Sequence, residues 1–502
     1  MWTQSGGIMK DIDYLALSGI QKFGVDLIRG IKKLPSGIAK KVKAAGSAIV
    51  NGIKYVGNDL VDLGTTFIKG DWKTKISYVI MGFGSILRKQ YLRGIAFLVT
   101  EIVYIYYMMT TGVGYLSKFN TLGTQERGFN PDGTISNGDN SFLILLFGLL
   151  TIFFTAAFIF IWRVNVRENR NAQRLLAAGK KLPTSMHDIR SLLDDNFDKT
   201  LLALPVLGIF IFTVLPIVFM ICVAFTNYDY NHQAPAKLFT WVGFDNFESL
   251  LSFGEAGMGG TFAQVLSWTL IWSFFATFLN YFIGMGVAIL INKKGIKFKK
   301  MWRTILVMTI AIPQFVSLLY VSKMFAADGL VNSYLMKWGL IEKALPFWTD
   351  GTWAQVTIIF INLWIGIPYL MLIATGLLMN IPEDLYESAR IDGASPFQMF
   401  RKITLPYMLF VTGPYLLTSF TGNLNNFNVI FLLSGGKPMS MSMTGNAGRT
   451  DLLITWLYKM TVNDTNYKMA AVIGIMVFVV TAIISLVVYN FLPSVKDEEG
   501  FQ

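Results

Sequence analysis

Eight apolar runs, at about residues 92–113, 141–163, 201–225, 263–292, 304–325, 354–379, 407–434 and 469–492, limit how this chain can fold. Each is long enough to cross about 30 Å of hydrocarbon. Inside hydrocarbon every backbone N–H and C=O must be satisfied within the protein, so each run is expected as a helix. The fold class is therefore all-α: a polytopic membrane protein with eight transmembrane helices. Of the 502 residues, 53% are hydrophobic and only 15% are charged, where a soluble protein carries about a quarter charged. The first long run begins near residue 92, too late for a cleavable signal. Cys222 is the one cysteine, and His187 and His232 are the only histidines. No disulfide, no Cys or His metal cluster and no thiol or histidine catalysis is expected.

Lys and Arg orient the spans, because cytosolic loops carry the excess. The segment up to Arg93 holds fifteen, loop 163–200 eight, loop 293–303 six, and loop 380–406 with the C-terminus four. The four alternate loops together hold nine. Both termini are therefore expected in the cytosol, which an even number of spans requires. The net charge of +12 then lies mainly on one membrane face. It is no nucleic-acid footprint, and no nucleic-acid partner is expected. The outer loops are short, roughly 25 to 40 residues, too small for a large folded domain.

Residues 12–70 carry a second pattern. Ile20, Phe23, Leu27, Ile31, Leu34, Ile38, Val42 and onward to Phe67 recur by threes and fours, at the helical period of about 3.6. Lys22, Arg29, Lys32, Lys33, Lys40, Lys41, Lys43 and Lys54 line the other faces. A basic amphipathic helix of this kind suits the membrane lipid of an anionic inner leaflet. A packed cytosolic tail fits the same pattern. The domain reading is 1–91 as cytosolic basic amphipathic N-terminal helical tail, 92–200 as the first two spans with a basic cytosolic loop, and 201–502 as a core.

The stretch from Glu387 to Pro406 lies between two apolar runs and is too polar to join either. Pro382 suits the first turn of a short helix, and Gly393 its end, where a positive φ is needed. Ser395-Pro396 reads as N-cap and first helical position of another. The expectation is a helix–turn–helix finger at the membrane edge, with Leu385, Ala389, Phe397 and Phe400 as an apolar ridge for a partner's groove.

The seventh run is unusually polar, Thr418-Ser419-Phe420-Thr421-Gly422-Asn423-Leu424-Asn425-Asn426-Phe427-Asn428. Carboxamides in hydrocarbon are unfavourable unless satisfied. On one continuous helix, Thr412, Tyr415, Ser419, Gly422, Asn423 and Asn426 fall within an arc of about 100°. Asn425 and Asn428 are expected to point to neighbouring helices. A stripe of amides, hydroxyls and rings suits an uncharged sugar, and equally suits hydrogen bonding between helices. The sixth run adds Asn362, Ile365, Gly366 and Pro368, where a kink or unwound turn is expected. The fifth run has Pro313-Gln314, read as a kink. No G-x-x-x-x-G-K-[ST] phosphate loop is present. Glu101 and Lys323 are too isolated for a proton relay, which disfavours an ion-coupled carrier.

Glu387, Ala389, Gly393, Ile403, Leu405 and Pro406 fit E-A-A, three residues, G, nine residues, I-x-L-P, with Ser388 in the second position and Asp392 before the glycine. This resembles the coupling ("EAA") loop of bacterial ABC importer permeases. The segments N-L-W-I-G-I-P-Y, S-F-T-G-N-L-N-N-F, L-L-S-G-G and T-D-L-L resemble MalF-type maltose/maltodextrin permeases over about residues 200–492. Trp241 to Phe247 resembles a segment of sugar-importer permeases.

The resemblance implies a type I ABC importer permease fold, with residues 380–406 docking on an ATPase. It implies an oligosaccharide site at Asn362, Ile365, Gly366, Ser419, Gly422, Asn423 and Asn426, and, in the fifth run, Gln314. Gly422 stands where the family has an aromatic, and Ile310 and Gln314 where it has a tyrosine and a serine. The implied partners are a second homologous permease (MalG-like), two copies of a cytosolic ATPase (MalK-like), and an extracellular or lipid-anchored sugar-binding protein. The chain itself would catalyse nothing and hold no cofactor, ATP and Mg being bound by the ATPase. Its place would be the bacterial cell membrane.

Overall fold

The computed structural model describes residues 61–129, 135–253, 257–293 and 295–491, with isolated positions 47, 51 and 57. The chain divides into two compact units, Met1–Lys75 and Ile76–Gln502. In the first, residues 61–69 are helical, and Asp71 accepts the backbone N–H of Thr74 at 2.8 Å. The remainder of the expected amphipathic tail lies outside the described residues.

The second unit is helical, as the apolar runs require. Among the described residues, seven continuous helices are long and apolar enough to cross a membrane: Tyr91–Lys118, Ser141–Ala177, Phe197–Val223, Gly259–Asn292, Gly351–Leu378, Pro396–Leu424 and Tyr467–Tyr489. The fifth of the eight expected spans is a bent pair, Lys299–Ala311 and Gln314–Met324, turned by 94°. Pro313 has no N–H to continue the helix, and Ile312 before it is extended (φ −85°, ψ 129°). The expected kink is thus a full corner. The sixth span departs the other way: it stays helical from Gly351 to Leu378 through Pro368, with no unwound turn. Gly366 packs directly against Asn280 of the fourth span, and a Cβ there would lie 2.6 Å from its amide nitrogen.

The second span runs 37 residues, about 55 Å at the helical rise. Asn140 caps its start, accepting the N–H of Leu143 at 3.2 Å. Its basic end is stitched to the preceding segment by carboxamides. Asn165 donates to the Ser77 carbonyl at 2.8 Å and accepts the Gly82 N–H at 3.0 Å. Asn169 accepts from Arg88 at 2.7 Å. Glu101, inside the first span, accepts the Met81 N–H at 2.8 Å. Residues 76–90 are therefore folded against the first two spans.

On the opposite face the connections are compact. A two-stranded hairpin pairs β1 (Gly128–Phe129) with β2 (Ile135–Ser136), antiparallel. Asp139 beside it is held below the usual carboxylate range by the Lys118 ammonium at 2.6 Å and the N–H groups of Thr124 and Gln125, against a burial effect that raises it. Trp241 donates to the Phe119 carbonyl at 3.0 Å, and Asn246 to those of Ala224 and Thr226, so the Trp241–Phe247 segment folds onto the ends of the first and third spans. Phe239, Leu250, Trp456, Met460 and Val472 form the core of this layer. A second core joins spans four to six around Trp272, Leu318 and Ile358, and a third joins spans four, six and seven around Tyr281, Met285, Met371 and Met408.

Candidate functional site: a broken span and a helical finger

The seventh span does not run through as one helix. It stops at Leu424 and restarts as Phe427–Leu433. Asn425 and Asn426 form the break, and Asn426 caps the second piece by accepting the Val429 N–H at 3.3 Å. Asparagine suits this place because its short amide bonds local backbone and so competes with the helix. A helix interrupted inside a membrane is tolerated where it faces protein or a water-filled cavity, and such breaks line solute sites in transporters.

Two of the expected carboxamides meet here. Asn426 donates to the Asn423 oxygen at 3.1 Å, and Asn423 donates to Thr277 of the fourth span at 3.0 Å. Thr277 belongs to a π-helical turn, Phe275–Leu279. Three residues on, Asn280 bonds the Ala276 carbonyl at 2.9 Å and abuts Gly366 of the sixth span. The fourth span thus ties the sixth and seventh together. Asn362 is buried on the sixth span, and Ile365 packs on the core that includes Val429 and Ile430. Ser419 is half-buried, and Gly422 is exposed with open space around it. Gln314 is exposed at the corner of the fifth span.

The single arc expected on the seventh span is divided by the break. Its inner end is helix packing, where Thr412 donates to the Tyr281 hydroxyl at 2.8 Å. Asn425 and Asn428 do not turn to neighbouring helices as expected; both are exposed. The restart at Asn426 changes the register on which that expectation depended. Thr277 and Asn280 were not among the expected residues. Their sequence signal is Thr269, Ser273, Thr277 and Asn280, polar residues three and four apart in an apolar run, all buried.

The Asn280 side-chain oxygen is buried without a hydrogen-bond partner, and a Cβ at position 366 would lie 2.6 Å from its nitrogen. Gly366→Val is therefore expected to lower thermal stability by about 1–3 kcal/mol through overpacking. Asn280→Ala in the same chain is expected to restore part of the loss, which thermal unfolding of the purified protein checks.

On the basic side, the finger forms as its turn chemistry dictates. Glu383–Ile391 is helical, with Pro382 one residue further out than expected, at the N-cap. Gly393 has φ +75°. The Gly393 N–H reaches the Arg390 carbonyl at 3.0 Å and the Ala394 N–H reaches that of Ala389 at 2.9 Å, the two bonds of a Schellman end. Ser395 and Gln398 then form a reciprocal capping box at 3.3 and 2.7 Å. Pro396–Met399 leads through a π-helical turn, Phe400–Thr404, into the seventh span. Tyr386 and Thr404 bond at 2.8 Å and close the base.

Of the expected ridge, Leu385 and Phe397 are exposed, Ala389 is half-buried, and Phe400 is drawn into the core of spans four, six and seven. Ile391, 87% exposed, takes its place at the tip. Glu387, Ser388, Asp392 and Gly393 are exposed around it, while Ile403, Leu405 and Pro406 begin the return to the membrane.

A membrane bundle with an uncharged polar break in one span and a rigid finger on its basic side defines a permease. Residues 280–497 match the family described as binding-protein-dependent transport system inner membrane component. The chain is 35% identical over 424 residues to the galactooligosaccharides transport system permease protein GanP of Bacillus subtilis, covering 84% of this chain and 97% of that one. It is 32% identical over 438 residues to the maltodextrin transport system permease protein MalC of Streptococcus pneumoniae, covering 85% and 97%. Against the maltose/maltodextrin transport system permease protein MalF of Escherichia coli it is 34% identical over 251 residues, covering 49% and 48%. The chain belongs to the binding-protein-dependent transport permeases, as a multi-pass subunit of an ABC importer.

Proposed function

We propose that this chain is one membrane subunit of an ATP-driven oligosaccharide importer, with both termini in the cytosol. The observation that carries the sugar reading is the broken seventh span. It gathers carboxamides, hydroxyls and rings, and no charged side chain occurs from Leu405 to Leu433. Amides both donate to and accept from hydroxyls, and rings stack on the C–H faces of a sugar. An ion or an acidic cargo would meet no counter-charge there. Maltodextrins are the first cargo to test. The galactooligosaccharides named for the Bacillus relative are the second.

The work comes from elsewhere. Leu385, Ile391 and Phe397 project from a rigid hairpin, an apolar patch that a soluble loop would not keep uncovered. A cytosolic ATPase groove would cover it, and ATP and Mg would be bound in that partner. Two ATPase copies, a second homologous permease beside the lipid-facing spans, and an external sugar-binding protein complete the assembly. The part before residue 76 is a cytosolic tail on the inner leaflet, and the core from residue 201 does the transport. ATP-driven closure of the ATPases would move the finger as a lever and switch the cavity's access, with Asn423, Asn426, Ser419, Asn362 and Gln314 around the cargo.

The test is uptake of radiolabelled malto-, galacto- and fructo-oligosaccharides in cells lacking this chain, complemented with wild type or with Asn423→Leu/Asn426→Leu. Wild type is expected to restore one of the first two classes, and the double variant to lose at least about tenfold, the loss of one to two hydrogen bonds. Sugar uptake unaltered by the double variant, with normal amounts of assembled transporter, would sink the reading.

A further inference from the structure

The break divides the asparagines of the seventh span into two pairs with different neighbours. Asn423 and Asn426 bond each other, Thr277 and the Val429 N–H. Asn425 and Asn428 face outward from the chain. Asn425 makes a long bond to the Thr421 carbonyl, at 3.4 Å. Thr418, Gly422 and Asn425 are spaced four and three apart and all are exposed. Asn428 and the 38%-exposed Phe431 continue the exposed series on the second piece. A carboxamide turned to lipid loses its water and gains no partner, at a cost of about 1–3 kcal/mol. Two of them beside two exposed small or hydroxylated positions mark a surface that lipid does not cover.

The ring on this surface is held in place. Phe431 stacks on Phe427 at 4.8 Å and 21°. Tyr458, from the outer helix Leu453–Val462, sets its ring edgewise against both, at 5.0 and 5.2 Å. Phe431 is therefore a fixed, partly exposed ring three residues after Asn428.

We propose that Asn425, Asn428 and Phe431 form a cargo-contacting wall of the permeation path, distinct from the Asn423–Asn426 pair. The wall takes one unit of a neutral oligosaccharide, its hydroxyl edge on the two carboxamides and its C–H face on Phe431. Asn423 and Asn426, placed beside the cargo above, also hold the break that turns Asn425 and Asn428 outward. The inference rests on the importer reading above and adds two amides and a ring to the groups that meet the sugar.

The test uses the complete transporter, with its companion subunits and binding protein, in proteoliposomes. Radiolabelled maltotriose and galactotriose are the probes. Asn425→Ala, Asn428→Ala and Phe431→Ala are each expected to raise the KM for uptake about tenfold, the worth of one hydrogen bond or stacking contact, with subunit co-purification unchanged. Asn428→Gln, which keeps the amide, is expected to recover most of the loss. Normal KM in all three variants overturns the proposal. So does loss of co-purification with the second permease, which would make this face a subunit interface. If wild type carries neither sugar, the importer reading itself fails, an outcome separate from either.

Discussion

Gly393→Val is expected to leave the chain folded in the membrane and to cut cargo-stimulated ATP hydrolysis by the assembled transporter at least about tenfold. Gly393 sits at φ +75° between the two helical pieces of the finger. A β-branched residue held there costs about 1–2 kcal/mol. The chain would relieve this strain by leaving the Schellman turn, which re-aims Ile391 and Phe397. A Cβ at position 393 meets nothing within 4 Å, so the effect is conformational and not a clash. That makes a graded series possible. Asparagine tolerates the left-handed region best among the others, so Gly393→Asn is expected near wild type, with Gly393→Ala between. Equal coupling across the series would separate the finger's shape from energy transfer.

Asp451→Ala is expected to produce the largest loss of stability, about 3–5 kcal/mol, because it strands a buried cation. Asp451 is fully buried and Lys459 nearly so, and their charged groups lie 2.6 Å apart. The same carboxylate accepts the Gly448 N–H at 2.7 Å and the Thr455 hydroxyl at 2.9 Å. A Cβ at Gly436 would come within 2.0 Å of it, where φ is +82°. The pair thus pins the loop after the seventh span to the helix Leu453–Val462. Asp451→Ala/Lys459→Met is expected to regain most of the loss, since no charge is then left unpaired. Thermal unfolding of the purified permease measures both. A single variant as stable as wild type would mean that the pair holds nothing.

The finger was the part of the site most legible in the chain. Gly393, Ser395-Pro396 and Gln398 act on backbone within four residues of themselves, so their caps follow from turn chemistry alone. Only the ridge shifted, from Phe400 to Ile391, because a core built by other spans claims Phe400. The seventh span was legible as polar but not as broken. Its arc assumed one uninterrupted helix, and one local restart at Asn426 exchanged the exposed amides. The sixth span erred oppositely: Gly366 and Pro368 weaken a helix locally, yet it stays continuous, packed at Gly366 against Asn280.

By itself the sequence determined the places of the spans and the finger's caps. These depend on hydropathy, charge and dihedral preferences read within a few residues. Only the tertiary structure decided that the fifth span turns a corner, that Thr277 and Asn280 join three spans, that Asp451 meets Lys459, and which asparagines face outward. Each of those depends on which helices pack together and at what register, and close packing between distant segments leaves no local trace of its partner.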